Sequence, residues 1–229
     1  MANVADRQYK LQYFPITALG EPIRMTFALV GTPLEDERVP GSEWADKKAA
    51  MPYGQMPVLT VTESDGSSTK MSQAKSILRY LGKIFMYEGR PLYPADPVLA
   101  YKCDEVMDLI EDIRGPFVKT FAIKDEGEKK AARLALVSEG GAMLEKISML
   151  EARLGGTWVN GDSLSIADIY VTCTLADFEQ PTFLDGFPEG TYAKFPNILK
   201  LRSMVVSLPP VVEHYKSEAP DSIRSTLKM

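Results

Sequence analysis

The apolar residues of this 229-residue chain mix strand and helix spacing up to about residue 86 and keep only helical spacing beyond it. Before it, strand and helix signals alternate. Residues 9–14 alternate like a short strand, closed by Pro15. Glu21-Pro22 opens a helix, with proline in the first turn where its missing N–H costs nothing. Ile23, Phe27 and Val30 then recur at helical spacing up to Gly31. Residues 34–39 predict an edge strand, and residues 58–62 and 68–71 predict two more, joined by the turn Asp65-Gly66-Ser67. A helix follows, with Ser72 as a candidate cap and Ile77, Leu78, Leu81 and Phe85 as its buried stripe. The order is β-α-β, then β-β-α. Residues 87–97, with Pro91, Pro94 and Pro97, read as a linker. Residues 98–229 carry only helical signals. One helix covers residues 98 to about 121, and a second covers 126–154 and stops at Gly155-Gly156. A third starts at Ser165-Ile166-Ala167-Asp168, which has the form of a capping box, and short ones follow Pro196 and Pro210. The expected fold is an α/β domain over residues 1–86, a linker over 87–97 and an all-α domain over 98–229.

Composition narrows the function. The chain has 31 acidic and 26 basic residues, a formal charge of −5, which disfavours a nucleic-acid partner because little counterion release is available. No segment approaches the roughly 18 uncharged apolar residues of a membrane span, and residues 1–10 lack the apolar run of a secretory signal. Two cysteines, Cys103 and Cys173, form neither a disulfide framework nor a C-x-x-C pair, so a reducing, cytoplasmic compartment is expected. The single histidine, His214, excludes sites built from several imidazoles, and no metal is expected. No phosphate-binding glycine loop and no G-x-S-x-G occurs. Catalysis has to rest on Tyr, Ser, Lys, Arg or carboxylates, or on a reactive group carried in by a ligand.

Several short stretches are more specific: Tyr13-Phe14; Ile23-Arg24; Trp44; residues 52–59 (PYGQMPVL); Gln73; residues 77–81 (ILRYL); and residues 161–168 (GDSLSIAD). In this order and spacing they resemble the cytosolic glutathione transferases over nearly the whole chain. Within that family the chain resembles the tyrosine-type group, nearest the sigma class, with pi-like wording at Tyr53-Gly54-Gln55. The resemblance implies a thioredoxin-like first domain that binds glutathione. It also implies a helical second domain that helps form a pocket for an apolar electrophile.

The chemistry of glutathione says what such a site needs. A free thiol has a pKa near ~8.5, and the thiolate is the nucleophile. A hydroxyl aimed at sulfur favours the anion, and one pKa unit corresponds to about 1.4 kcal/mol. Tyr13 is the implied donor; the alternative is a tyrosine that merely packs. Pro57 resembles the cis-proline of thioredoxin-like folds, which would let Met56 pair its backbone with the cysteinyl part, with Gln55 beside it. Gln73 and Ala74 match the γ-glutamyl site at a helix start, where free N–H groups favour an anion. Trp44 and Lys48 match residues that hold the glycyl carboxylate. Asp112, with Asp108 as alternate, matches an acid that reaches the ammonium from the partner subunit of a homodimer; Asp104, Asp108 and Asp112 share one helix face. Phe14, Leu19, Tyr170 and Thr174 match the electrophile pocket, and Tyr53 an aromatic key at a subunit interface.

Two departures from the family pattern stand out. Ala74 replaces a serine, so a hydroxyl donor is lost unless Ser72 compensates. Leu19 stands where several relatives carry an arginine that supports the thiolate. The resemblance implies conjugation of glutathione to apolar electrophiles. The alternatives are a glutathione-dependent isomerase of prostaglandin-synthase type and a non-catalytic crystallin-like or carrier relative.

Overall fold

In a computed structural model, which describes residues 6–179, 187–188 and 190–217, four strands form one sheet in the order β2-β1-β3-β4. These are β1 (Gln8–Tyr13), β2 (Glu35–Arg38), β3 (Val58–Thr62) and β4 (Ser68–Ser72). The first two are parallel, joined through the helix α1 (Glu21–Val30), and the other neighbours are antiparallel. The predicted β-α-β, β-β-α order is therefore the observed one. The edge strand is shorter than residues 34–39, although Val39 still donates its N–H to the Tyr13 carbonyl at 2.7 Å. Tyr9, Leu11 and Tyr13 alternate inward along β1, as a strand buried on one face requires. α1 ends at Gly31 in the left-handed conformation, as expected.

A short helix α2 (Trp44–Lys47) precedes β3, and α3 (Ala74–Ile84) follows β4. Ser72 is the last residue of β4 and does not cap α3; Gln73 occupies that position with no side-chain cap bond. The short strands β5 (Met86–Tyr87) and β6 (Arg90–Pro91) pair at the start of the segment read as a linker, beginning one residue before it. The helices then run α4 (Pro97–Lys119), α5 (Glu126–Val137), α6 (Ala142–Arg153), α7 (Ile166–Asp177), α8 (Pro196–Val206) and α9 (Pro209–Ser217). Part of the region predicted as all-helical, residues 180–186, 189 and 218–229, lies outside the described residues, as do residues 1–5 of the segment read as lacking a signal.

The helix predicted over residues 126–154 is two helices. Gly140 sits at φ +74°, and a Cβ on Gly141 would fall 2.4 Å from the Ala135 carbonyl oxygen. The chain doubles back there through Gly141 N–H to Ser138 C=O. The Gly140-Gly141 pair carries this turn, because only residues without a Cβ fit both the dihedral and the close approach.

Every residue of α7 is buried, whichever side of the helix it lies on, as expected of a helix at the centre of a bundle. Its start is the expected capping box. Asp168 accepts from the Ser165 N–H at 2.8 Å and the Ser165 hydroxyl at 2.6 Å, and its other oxygen accepts from Val159 N–H at 2.8 Å. Burial pushes Asp168 up to about 6. Asp168→Ala is expected to cost about 3 kcal/mol in denaturant unfolding, from the lost cap and the orphaned buried donors. The folded chain holds the Asp168 proton more tightly than the unfolded chain does. The stability advantage of the parent over Asp168→Asn is therefore fullest below pH ~4 and declines as pH rises through about 6. A gap that widens over that range would contradict the assignment.

Candidate active site at the end of the first strand

The strand register brings three of the sequence-marked residues to one end of the sheet. Gln12 pairs with Val58, and Val58 pairs with Ser72. The next residue outward on β1 is Tyr13, the residue before Val58 is Pro57, and the residue after Ser72 is Gln73. The Met56–Pro57 bond is cis. Gln73 has φ +73° and ψ 104°, a strained conformation for a side chain with a Cβ. Such strain is concentrated at ligand clamps and switch regions. Gln73 and Gln55 are exposed, and Ala74 is buried at the first turn of α3. The Ser72 hydroxyl oxygen is buried without a hydrogen-bond partner.

Tyr13 is 6% exposed, and its hydroxyl accepts the backbone N–H of Leu19 at 3.2 Å. Burial raises the phenol above its usual range, opposed by that Leu19 bond. The phenol therefore keeps its proton at neutral pH, and with its oxygen already accepting from Leu19 the proton is directed elsewhere. Tyr9 has a different setting: its ring lies edge-on to Phe27 and Phe85, with centroids 5.0 and 5.8 Å away.

The segment after Tyr13 is held from three sides. Arg24, 4% exposed, donates to the carbonyls of Ile16 at 2.8 Å and Phe14 at 3.3 Å and pairs with Glu21 and Asp36, each at 3.0 Å. Asp177, at the end of α7, accepts from the Thr17 hydroxyl and, at 3.3 Å, from Ala18 N–H. Burial pushes Asp177 up to about 7. Gly20 lies against the Tyr13 ring, so that a Cβ there would sit 2.4 Å from Tyr13 Cδ1.

Phe14 meets Trp44 edge-on at 5.5 Å. Lys47 is engaged by Glu37 at 2.5 Å and Glu43 at 3.3 Å, and it is the main cause holding Glu37 down at about 2. Its neighbour Lys48 is exposed and makes no ion pair among the described residues. Leu19 is half-buried. Tyr170 and Thr174 are 0% and 4% exposed, and the Tyr170 hydroxyl donates to Glu111, which also accepts from Arg114 at 3.1 Å.

The acidic face of α4 is paired rather than simply solvated. Asp104 accepts from Arg79 at 2.7 Å and from the Tyr93 hydroxyl at 2.9 Å. Asp108 pairs with Lys75 at 2.6 Å, and Asp112 with Lys146 at 3.0 Å. Tyr53 is 81% exposed. Both cysteines are buried, Cys103 donating its S–H to Asn160. Among the described residues no helix is long and apolar enough to cross a membrane, and no group of three or more His, Cys, Asp or Glu side chains could hold a metal ion.

Sequence reasoning did not single out Glu111, Arg114 or Asp177. Glu111 and Arg114 sit at i,i+3 on α4, a pattern visible only once it is known which face of α4 meets α7. Gly20→Ala is expected to lower stability by about 1–3 kcal/mol in thermal or denaturant unfolding, because the added methyl overlaps the Tyr13 ring. An unchanged midpoint would show that the ring has another place to lie.

Residues 110–209 match the family model described as glutathione S-transferase, C-terminal domain. Glutathione S-transferase 4 of Caenorhabditis elegans is 32% identical over 219 residues, which cover 94% of this chain and 98% of the relative. The solved structure of prostaglandin synthase D of Nilaparvata lugens superposes with a TM-score of 0.77 at 29% identity, covering 92% of this chain and 98% of that one. The sigma class glutathione S-transferase of Fasciola hepatica gives 0.74 at 26%, covering 95% and 99%. With a mixed sheet followed by a helical bundle, and with these relatives matched nearly end to end, the chain belongs to the glutathione S-transferase family.

Proposed function

We propose that this chain is a tyrosine-type glutathione transferase, nearest the sigma class, which conjugates the thiolate of glutathione to apolar electrophiles. The carrying observation is the Tyr13 phenol: buried, protonated and already accepting from Leu19 N–H, so that its own proton is available to a sulfur at the end of the sheet. Residues 1–86 bind glutathione in this reading. Met56, beside the cis bond to Pro57, offers its backbone to the cysteinyl part, in the manner of an added strand, with Gln55 next to it. Gln73 and the N–H groups at the start of α3 take the γ-glutamyl carboxylate. Trp44 and Lys48 take the glycyl carboxylate; among the described residues Lys48 makes no ion pair, whereas two glutamates engage Lys47. Residues 87–97 link to the helical part, residues 98–229. There Tyr170 and Thr174, with Phe14 and Leu19, border the electrophile.

The active form is a homodimer in the cytoplasm, with Asp112 of one subunit facing the ammonium bound to the other and Tyr53 seated at the interface. Tyr53 supports this by its 81% exposure, unusual for a large ring. Asp112 would have to exchange Lys146 for the ammonium. Catalysis is activation of a bound nucleophile together with proximity.

A second reading is isomerisation of an endoperoxide by the same thiolate, favoured by the likeness to the Nilaparvata lugens prostaglandin synthase. Product analysis with an aryl halide and with an endoperoxide separates the two, and no turnover of either would favour a carrier. Tyr13→Phe is expected to cut kcat/KM by about a hundredfold, the usual cost of one donor to a developing anion. It should leave glutathione affinity within a few-fold and return the bound thiol toward its ordinary pKa near ~8.5. Unaltered turnover would remove Tyr13 from the mechanism.

A further inference from the structure

We propose that Asp177, the last residue of α7, is a positioning residue for the thiolate: through Thr17 and Ala18 it sets the turn that presents the Leu19 N–H to the Tyr13 hydroxyl. The inference rests on the thiolate reading of Tyr13. It extends that reading to a residue of the helical part that contacts neither substrate in it.

The turn is short and its hydrogen bonds interlock. Ala18–Gly20 form a single tight helical turn, closed where the Thr17 carbonyl accepts from Gly20 N–H at 3.2 Å and from Glu21 N–H at 3.1 Å. The Thr17 hydroxyl donates to Asp177 Oδ1, and the Ala18 N–H reaches the same oxygen at 3.3 Å. The next N–H, that of Leu19, goes to the Tyr13 hydroxyl at 3.2 Å. Two successive N–H groups thus diverge, one toward α7 and one toward the phenol, with only the two dihedrals of Ala18 between them. Ala18 has φ +37°, on the left-handed side that a residue with a Cβ disfavours. Such a conformation persists only where its surroundings over-determine it. Asp177 fixes the residue on its N-terminal side and the Tyr13 hydroxyl fixes it on the other. If the first hold is released, Ala18 can relax, and the Leu19 N–H turns away from the phenol. Thr17 and Asp177 are 5% and 7% exposed, so water is poorly placed to replace their bond.

The Leu19 bond matters to the phenol in two ways. It occupies the oxygen from one side, which leaves the phenolic proton directed elsewhere. It also polarises the O–H, because hydrogen bonds in a chain strengthen one another. Arg24 does not duplicate this role. It holds the carbonyls of Phe14 and Ile16, which precede the turn, whereas Asp177 holds the turn itself. Nor does the charge of Asp177 help: a carboxylate disfavours a second anion nearby, and Asp177 pulls the Tyr13 phenol upward. A benefit from Asp177 therefore comes through the geometry it imposes, and geometry and charge predict opposite signs when the residue is changed.

The test is titration of glutathione bound to the full-length protein, read by the ultraviolet absorbance of the thiolate, with glutathione affinity and aryl halide turnover measured in parallel. Thr17→Val and Asp177→Leu are each expected to raise the pKa of the bound thiol by about one unit, a tenfold loss of thiolate well below that pKa. Their kcat/KM profiles should shift to higher pH by the same amount, with glutathione affinity within about twofold. The double variant should shift no further than the larger single one, because both ends of one contact are removed. Asp177→Asn keeps the Oδ1 acceptor and loses the charge, so it should restore the parent titration or fall slightly below it, which loss of packing alone would not predict. Thr17→Val, with a side chain of nearly the same shape, carries the test should Asp177→Leu fail to fold. If Thr17→Val titrates like the parent, if the two shifts add, or if Asp177→Asn shifts upward as far as Asp177→Leu, while Tyr13→Phe raises the thiol pKa, the Asp177 proposal is overturned and the Tyr13 reading stands. If Tyr13→Phe leaves the titration unmoved, both are overturned.

Discussion

Arg24 is the interaction on which the arrangement of the site depends. A cation buried to 4% exposure is tolerable only if its donors are all met, and here two carboxylates and two backbone carbonyls meet them. The two carbonyls belong to Phe14 and Ile16, so the segment leaving β1 must turn back over α1. That turn puts Leu19 N–H on the Tyr13 hydroxyl. The network extends further, since the hydroxyl of Tyr215 on α9 donates to Glu21 at 2.5 Å. A helix late in the chain thus packs against the same charge that shapes the loop after the first strand.

The helical part contributes its own constraint through α7. Its N-terminus is fixed by Asp168 and its C-terminus ends on Asp177, which reaches the loop at Thr17 and Ala18. Both loop donors converge on one oxygen of Asp177, Oδ1. Protonation on the other oxygen leaves that acceptor in place, so the grip is compatible with a carboxyl that titrates near neutrality. α4 adds surface ion pairs to α3, from Asp104 to Arg79 and from Asp108 to Lys75. Each pair is worth about 0–1 kcal/mol, so they orient the two helices more than they stabilise the fold.

Local chemistry was readable wherever the signal and its cause lay close together in sequence. The β-α-β, β-β-α order, the stop at Gly31 and the Ser165–Asp168 box depend on residues within a turn or a strand of one another. Tyr13, Pro57 and Gln73 were marked by motif, and only the register could show them side by side at one sheet end. The break at Gly140-Gly141 was missed because the apolar spacing continues across it; the decisive fact is a clash between a hypothetical Cβ and a carbonyl of the preceding turn. Ser72 failed as a cap because β4 runs one residue further than its pattern indicated. The pairings Thr17–Asp177 and Tyr170–Glu111 span 160 and 59 residues, and no local pattern encodes them.

The two departures from the family pattern have different consequences once the geometry is known. At position 74 the backbone N–H groups of the first turn of α3 remain, so what Ala74 forfeits is one hydroxyl. Ser72 could replace it only by turning a hydroxyl that is now buried on β4. At position 19 the lost group would have been a charge, which acts over distance and does not have to come from the same residue. Leu19 still supplies its backbone N–H to Tyr13, and that bond requires no particular side chain. A missing donor has to be replaced in place, whereas a missing charge can be supplied from any rigid element facing the site.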